Sequence, residues 1–391
     1  MTAHLPLSGI RVLDVSQFLA GPSAAARLGE LGAEVIKLER FPHGDPSRSM
    51  VVASGSSIGG DSLVFHAINR GKRSVMLDLK SEQGHRRAQE LAAQADVLIE
   101  SFRPGVMARL GLDYASVAAI NPGVIYGRVT GYGDTGPWAD RPGQDLLAQA
   151  LTGLCWLQGP AGAPPTPIGF SIVDAAAGSA LTQGLLAVLL RRERRGGGGL
   201  VEVSLLEAAV DLQFEVLTLQ LNQGDTARTE GVPRSGLSPA HPWLAAPYGV
   251  YETSDSWVAL AMGAVDRLGS VLQDPNLAAR HDPALWWSDR DEIKERVADL
   301  LRVRKIDEVV QELLANGMWA AEVLAWEQMV AHAGFQELDL LQELSRPQTD
   351  GHLGDTVTTT RCPFRIDGQV LPARGPAPRL DTHHGDFGEE P

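Results

Sequence analysis

Ile10-Arg-Val-Leu-Asp-Val15, Ser23-Ala-Ala-Ala-Arg-Leu-Gly-Glu-Leu31 and Ala33-Glu-Val-Ile-Lys-Leu38 follow one another near the start of the chain. The first and third are short β-rich apolar runs, and the second is rich in Ala and Leu, the strongest helix formers. Gly21-Pro22 stands at the helix entrance and Gly32 at its stop. A helix of this length returns the chain to the same sheet edge, so the three segments predict a parallel βαβ unit.

The alternation continues through Ser74-Val-Met-Leu-Asp-Leu79, Asp96-Val-Leu-Ile-Glu100, Val124-Ile-Tyr-Gly-Arg-Val129 and Val201-Glu-Val-Ser204. Helical patterns lie between them, from about 81 to 94, 145 to 157 and 174 to 192. Some two hundred residues of alternating β and α predict an α/β domain with a mostly parallel sheet. Residues 40–60 are rich in Gly, Pro and Ser without periodicity and read as a long mobile loop. After Gly224 the character changes. Tyr248 to Ala261 reads as a hairpin with a Ser/Asp turn, and charged amphipathic helices follow between Asp289 and Glu343. The expected organisation is a large domain over 1–224, a small α+β domain over 225–345, and a Pro- and Arg-rich segment over 346–391 lying extended on another surface.

Composition narrows the partners. The 391 residues carry a net charge of −14, which argues against nucleic acid, whose phosphates need a basic face. A small anionic ligand needs only a local cluster of cations, such as Asn69-Arg-Gly-Lys-Arg73. No apolar run looks long enough to span a bilayer and the N-terminus lacks the features of a signal peptide, so no membrane partner is expected. Cys155 and Cys362 form neither a disulfide framework nor a metal spacing, which fits a reducing cytoplasm and no bound metal.

Three literal motif matches fail on context. Gly131-Tyr-Gly-Asp-Thr-Gly136 has the G-x-G-x-x-G form, but Pro137 to Pro142 follow where a dinucleotide fold requires a helix already under way. Glu39 ends the second strand as a ribose-binding acid would, yet the first turn, Ala20-Gly21-Pro22, lacks the glycine fingerprint. Gly55-Ser-Ser-Ile-Gly59 has the form of a nucleophile elbow around Ser57 without the strand before it and the helix after it, and reads as a flexible loop. Gly196-Gly-Gly-Gly199 follows a helix instead of preceding one, so it is a linker and not a phosphate cradle.

Asp174 stands out within Pro167-Ile-Gly-Phe-Ser-Ile-Val-Asp-Ala-Ala-Ala-Gly178. It is a lone carboxylate at the start of a long apolar helix, followed by small residues that leave it reachable. Asp is favoured as a helix N-cap. An ionised, uncluttered carboxylate is also a nucleophile, and the positive end of a helix favours its ionised form. On this segment alone both roles stand.

Taken together, Leu7-Ser-Gly-Ile-Arg-Val-Leu-Asp14, Ala20-Gly-Pro22, Leu31-Gly-Ala-Glu-Val-Ile-Lys-Leu-Glu39, Asn69-Arg-Gly-Lys-Arg-Ser74, Leu77-Asp-Leu-Lys80, Glu100-Ser-Phe-Arg-Pro-Gly105, Thr130 to Pro137, Arg141-Pro-Gly-Gln-Asp145 and Ala246-Pro-Tyr-Gly-Val-Tyr251 resemble the class III CoA-transferases in order and over nearly the whole chain. That family includes formyl-CoA transferase, the carnitine CoA-transferase and the α-methylacyl-CoA racemases. The resemblance implies a Rossmann-like large domain, a small domain, a C-terminal segment returning to the large one, and an interlocked homodimer. It implies Asp174 as nucleophile and coenzyme A or acyl-CoA as substrate, with no permanently bound cofactor. CoA contacts by the same matching fall on Phe18, Leu19, Arg40, Leu77, Lys80, Ser101, Phe102, Arg103 and Arg109. Gln144 and Asp145 are candidate supports, Asp145 being equally suited to N-cap the next helix.

Two positions depart from the family pattern. Leu19 stands where formyl-CoA transferase carries a glutamine, which argues against a very small polar acyl group. Trp138 and Phe170 add to that apolar hint. Gln144 stands where the racemases carry a proton-moving His, and an amide exchanges no proton near neutral pH. The expected activity is therefore CoA transfer from an acyl-CoA to a carboxylic acid through an aspartyl-CoA thioester, with racemisation or bare CoA binding as alternatives.

Overall fold

The structure is a computed structural model that describes residues 5–51, 53, 57–223, 231–237, 240–348 and 354–383. The described chain divides into two compact units. The first comprises residues 1–148, 171–209 and 337–391, and the second 149–170 and 210–336. These bounds differ from breaks at 224 and 345, because the chain passes between the units more often than its composition signals.

The first unit is built on a six-stranded sheet. Its strands are β1 (Arg11–Asp14), β2 (Glu34–Arg40), β5 (Arg73–Leu77), β6 (Val97–Glu100), β7 (Ile125–Thr130) and β8 (Gly199–Ser204), in the order β5-β2-β1-β6-β7-β8. Every neighbouring pair is parallel. Counted by sheet strand alone the order is 3-2-1-4-5-6, the doubly wound arrangement, with its switch point between β1 and β6. Val12, Leu13, Val35, Ile36, Val97, Leu98 and Ile99 are buried, which is why these strands read as continuous apolar runs. The helices α1 (Ala20–Glu30), α2 (Leu63–Asn69), α3 (Glu82–Gln94), α4 (Val106–Arg109), α5 (Tyr114–Ile120), α6 (Asp145–Leu151) and α7 (Ile172–Arg195) lie between the strands in chain order.

Helix α7 corrects one expectation. Its 24 residues contain an 18-residue window of mean hydropathy 1.5, long and apolar enough by length and composition to cross a membrane. Here Val173, Ala177, Leu181, Leu185 and Leu189 bury one face inside the first unit, so the apolar run serves as a core helix.

The described residues of 40–60 are also more ordered than their composition predicts. A 3-10 turn, Pro46–Ser49, is capped by Asp45, and the short strands β3 (Ser57–Ile58) and β4 (Asp61–Ser62) form a hairpin across Gly59 and Gly60, both at positive φ. Ser57 thus lies in a two-residue ladder and not in a flexible loop, while Val52 and residues 54–56 lie outside the described residues. Arg48 holds the segment down. Its guanidinium binds Glu39 through Nε at 2.7 Å and Nη2 at 2.6 Å, and Asp61 at 2.9 Å.

In the C-terminal segment, β12 (Leu341–Arg346) pairs antiparallel with β13 (Asp355–Thr360). Part of this stretch had the look of a charged helix or extended chain, but Leu341, Glu343 and Ser345 alternate with less exposed neighbours as a strand requires. Arg346 pairs with Asp61 at 2.8 Å. Further on, Asp381 accepts the Met76 N–H at 2.7 Å and His383 donates to the Ser74 carbonyl at 3.1 Å, so this tail covers the edge of β5.

The second unit has its own core. Strands β9 (Gly249–Glu252), β10 (Trp257–Leu260) and β11 (Ala320–Glu322) form an antiparallel sheet, with Thr253 and Ser256 closing the β9–β10 turn. Helices Val265–Val271, Arg290–Leu301 and Ile306–Ala315 pack Leu268, Val297, Val309 and Leu313 against Tyr251 and Val258.

Replacing Arg48 by Met leaves the buried Glu39 carboxylate without its bidentate partner. The expected cost is about 3–5 kcal/mol, read from urea unfolding midpoints at constant slope.

Candidate active site

Helix α7 begins without a cap of its own, since Ser171 makes no side-chain cap bond. The cap comes from another element. Asp145, buried at the first position of α6, accepts the N–H of Val173 at 2.7 Å and of Asp174 at 3.0 Å through Oδ2. A carboxylate on these N–H groups satisfies donors the helix leaves open and meets the positive end of its dipole. Asp145 therefore caps α7 from across the fold while opening α6.

This settles the cap question for Asp174, which is the third residue of α7 and not its cap. Among the described residues nothing donates to its carboxylate. The helix start was also expected to favour its ionised form. Instead burial, with the negative charge of Asp145 adding to it, pushes the Asp174 carboxyl up to about 6. The N–H groups that would stabilise a charge there are already used by Asp145. A carboxyl at this value remains about nine-tenths ionised at neutral pH and is more basic than an ordinary Asp. It is a better nucleophile for that reason.

Two glycine contacts place these carboxylates. A Cβ on Gly143 would fall 2.4 Å from the Gly131 Cα, so the two backbones cross where only glycine fits, just before Gln144-Asp145. A Cβ on Gly178 would meet Ser23 Oγ at 2.3 Å and the Ala20 carbonyl at 2.8 Å. Close packing at Gly178 thus brings the start of α1, and with it Phe18-Leu19, to the turn of α7 next to Asp174. Phe18 is exposed and sits at φ +63°, a conformation that non-glycine residues rarely hold. Gln144 is exposed, and Phe170 and Trp138 are exposed and half-buried respectively. Trp138 packs edge-on against Tyr132 at 6.4 Å.

The matched CoA contacts lie along the carboxyl ends of the sheet. Phe18 and Leu19 follow β1, Arg40 ends β2, Leu77 ends β5 with Lys80 beyond it, and Ser101, Phe102 and Arg103 follow β6. Arg109 closes α4. Leu77 is buried, Leu19, Ser101 and Phe102 are partly so, and Arg40, Lys80, Arg103 and Arg109 are exposed. Among the described residues none of these four cations forms an ion pair. Arg40 and Phe102 line one pocket with Gln17, Leu38 and Leu79, at the crevice where ligands of doubly wound sheets bind. The Ser101 hydroxyl is engaged, accepting the Gln17 N–H at 2.8 Å.

The basic run at residues 69–73 is spent internally and offers no anion site. Arg70 pairs with Glu30 at 2.6 Å, Lys72 with Asp14 at 2.7 Å and Arg73 with Glu34 at 3.1 Å. Two features escaped the sequence reading. Glu100 is buried at the end of β6 and accepts the Phe102 N–H at 2.7 Å, with burial pushing it up to about 7. Lys37 is fully buried, and its only sequence signal was a cation inside the apolar strand Val35-Ile-Lys-Leu38.

The chain matches CoA-transferase family III over residues 7–384. It belongs to that family. A probable fatty acyl-CoA transferase of Mycobacterium tuberculosis, Rv3272, is 35% identical over 98% of this chain and 97% of its own length. A succinate–glutarate CoA-transferase of Agrobacterium fabrum is 32% identical over 97% and 94%. The crystal structure of Rv3272 superposes with a TM-score of 0.82 at 33% identity, covering 98% of this chain and 99% of that one. The family and its named members identify the chain as a CoA-transferase, with CoA thioesters as substrates.

The electrostatics of Asp174 carry a testable consequence. Its folded carboxyl titrates above the ordinary Asp value, so the folded state holds more protons between about 4 and 6 and loses stability as pH rises through that window. Asp174→Asn cannot ionise and is expected to melt at the same temperature as the wild type, or higher, at pH 7. A fall of several degrees would mean that the carboxylate is structural.

Proposed function

We propose that the protein transfers CoA from an acyl-CoA donor to a carboxylic acid acceptor, with Asp174 as the covalent carrier. The observation that carries this reading is the state of Asp174: a partly buried carboxylate with no donor among the described residues, raised to about 6 and next to a carboxylate that holds its helix in place.

Asp174 attacks the donor thioester carbonyl; the C–S bond breaks and CoA leaves as thiolate, giving a mixed anhydride. The thiolate attacks the aspartyl carbonyl, the anhydride C–O bond breaks, and the donor acid leaves as carboxylate. Asp174 is then a CoA thioester. The acceptor carboxylate attacks that thioester, and the released thiolate takes the acceptor acyl group and restores Asp174. No proton is gained or lost overall, consistent with an exposed amide at Gln144 and no His matched to the site. Each intermediate divides one difficult exchange into acyl transfers of lower barrier.

The exposed Arg40, Lys80, Arg103 and Arg109, none in an ion pair among the described residues, suit the phosphates of CoA, and Leu38, Leu79 and Phe102 in the pocket beside Arg40 suit its adenine. Leu77 and Ser101 are further CoA contacts by the family matching, with Phe18 and Leu19 toward the thioester. We further propose that the protein works as an interlocked homodimer in the cytoplasm. The helix Phe214–Leu221 buries none of its apolar residues within its own chain, and both described cysteines are unpaired.

Ping-pong transfer predicts that labelled donor acid exchanges into the donor acyl-CoA without any acceptor. Asp174→Asn is expected to lower that half-exchange by about a thousandfold or more. Exchange of the substrate α-proton in deuterated buffer, with no half-exchange, would contradict the reading. The half-exchange rate is expected to fall as pH drops below about 6, where Asp174 takes up its proton. Asp145→Asn removes a negative charge that raises Asp174, so its acid limb should move to lower pH.

A further inference from the structure

A buried cluster of charges at the carboxyl ends of β1 and β2 takes no part in the steps above, yet its hydrogen bonds converge on one short piece of backbone. Asp14 Oδ1 accepts the Ser16 N–H at 3.1 Å and also the Ser16 hydroxyl. Lys37 Nζ donates to the Ser16 carbonyl and pairs with Asp45 at 2.8 Å and Asp14 at 3.6 Å. Lys72 Nζ donates to Asp14 Oδ2 at 2.7 Å, to Asn69 Oδ1 at 2.8 Å and to the Pro22 carbonyl at 2.8 Å. Residues on both sides of Phe18-Leu19 are thereby fixed, and Ser101 fixes Gln17 between them. Asp14, Lys37 and Lys72 are all buried; Lys37 lines the Arg40–Phe102 pocket with Ser16, Gln17 and Asp45, whereas Asp14 and Lys72 lie behind it.

We propose that Lys72, acting with Lys37 and Asp14, is a positioning residue for transfer: its ammonium holds the Pro22 carbonyl and Asp14, and so keeps Phe18 and Leu19 set against the reacting thioester. This rests on the reading of Asp174 given above. A whole buried charge cluster replaced by apolar residues of similar volume often costs little stability, so stability alone does not explain two buried ammoniums. What an ammonium adds is directed donors, here aimed at backbone carbonyls beside a residue at φ +63°. A strained turn persists only where its surroundings over-determine it. The exposed cations matched to the phosphates sit on other loops and Lys72 does not line the Arg40–Phe102 pocket, so loosening this turn through Lys72 should lower the rate more than CoA affinity.

The test uses the full-length protein with Lys72→Met and, as a milder change, Asn69→Ala, which deletes one of the three acceptors of Lys72. Melting temperature, CoA dissociation constant by calorimetry, and kcat for donor half-exchange are measured for each. For Lys72→Met we expect kcat to fall about tenfold to a hundredfold, as for ångström-scale misplacement of a reacting group. CoA affinity should stay within about threefold in the same variant, since its phosphate contacts are untouched. Asn69→Ala should show a smaller fall of the same kind, and it decides the matter if Lys72→Met does not fold. Folded variants with wild-type kcat, or with a loss confined to CoA affinity, would overturn the inference. No half-exchange in the wild type would instead sink the Asp174 reading, and this inference with it.

Discussion

The site depends on where one carboxylate spends its hydrogen bonds. Asp145 Oδ2 takes the N–H groups of Val173 and Asp174, and this does two things at once. It anchors the start of α7 to the start of α6, and it leaves the Asp174 carboxylate beside a negative charge with its own helix N–H groups already occupied. Had Asp174 capped its own helix, it would be a stabilised and weakly nucleophilic group. Relieved of that role, it is raised to about 6 and stays only partly buried. The arrangement costs some stability, the usual exchange at a site selected for reactivity.

The sheet supplies the frame. A doubly wound order puts the ends of β1, β2, β5 and β6 on one edge, so segments far apart in sequence reach a common crevice. Buried charges then fix what the edge presents. Asp14, Lys37 and Lys72 tie the turn after β1, while Arg48, Glu39 and Asp61 tie the segment after β2 and, through Arg346, the C-terminal hairpin. Neutralising some cations inside the fold while leaving others exposed separates architecture from ligand binding.

Much of the fold was legible in sequence, because its signals are local. The strands Arg11–Asp14, Glu34–Arg40 and Val97–Glu100 are apolar runs, and Gly21-Pro22 and Gly32 mark the ends of α1. What escaped was set by partners distant in sequence. Asp174 looked like a cap because Asp145, 29 residues earlier, is invisible as its replacement until α6 and α7 meet. The run from Asn69 to Arg73 looked like an anion site because Asp14, Glu30 and Glu34, which consume it, lie far upstream. Residues 40–60 looked mobile because the ion pairs of Arg48 carry no periodic signature. The run that opens α7 was read as an apolar helix but not as one of membrane-spanning length, because Asp174 lies near its start and Arg191 to Arg195 close it.

The central claim is that Asp174 itself becomes the carrier of CoA. Its most direct test is intact-protein and peptide mass spectrometry after the enzyme meets an acyl-CoA donor without acceptor and is quenched in acid. The account predicts a mass gain of CoA less one water, confined to the peptide containing Asp174 and absent from Asp174→Asn. An unmodified protein under conditions that turn over, or the same adduct in Asp174→Asn, would contradict it.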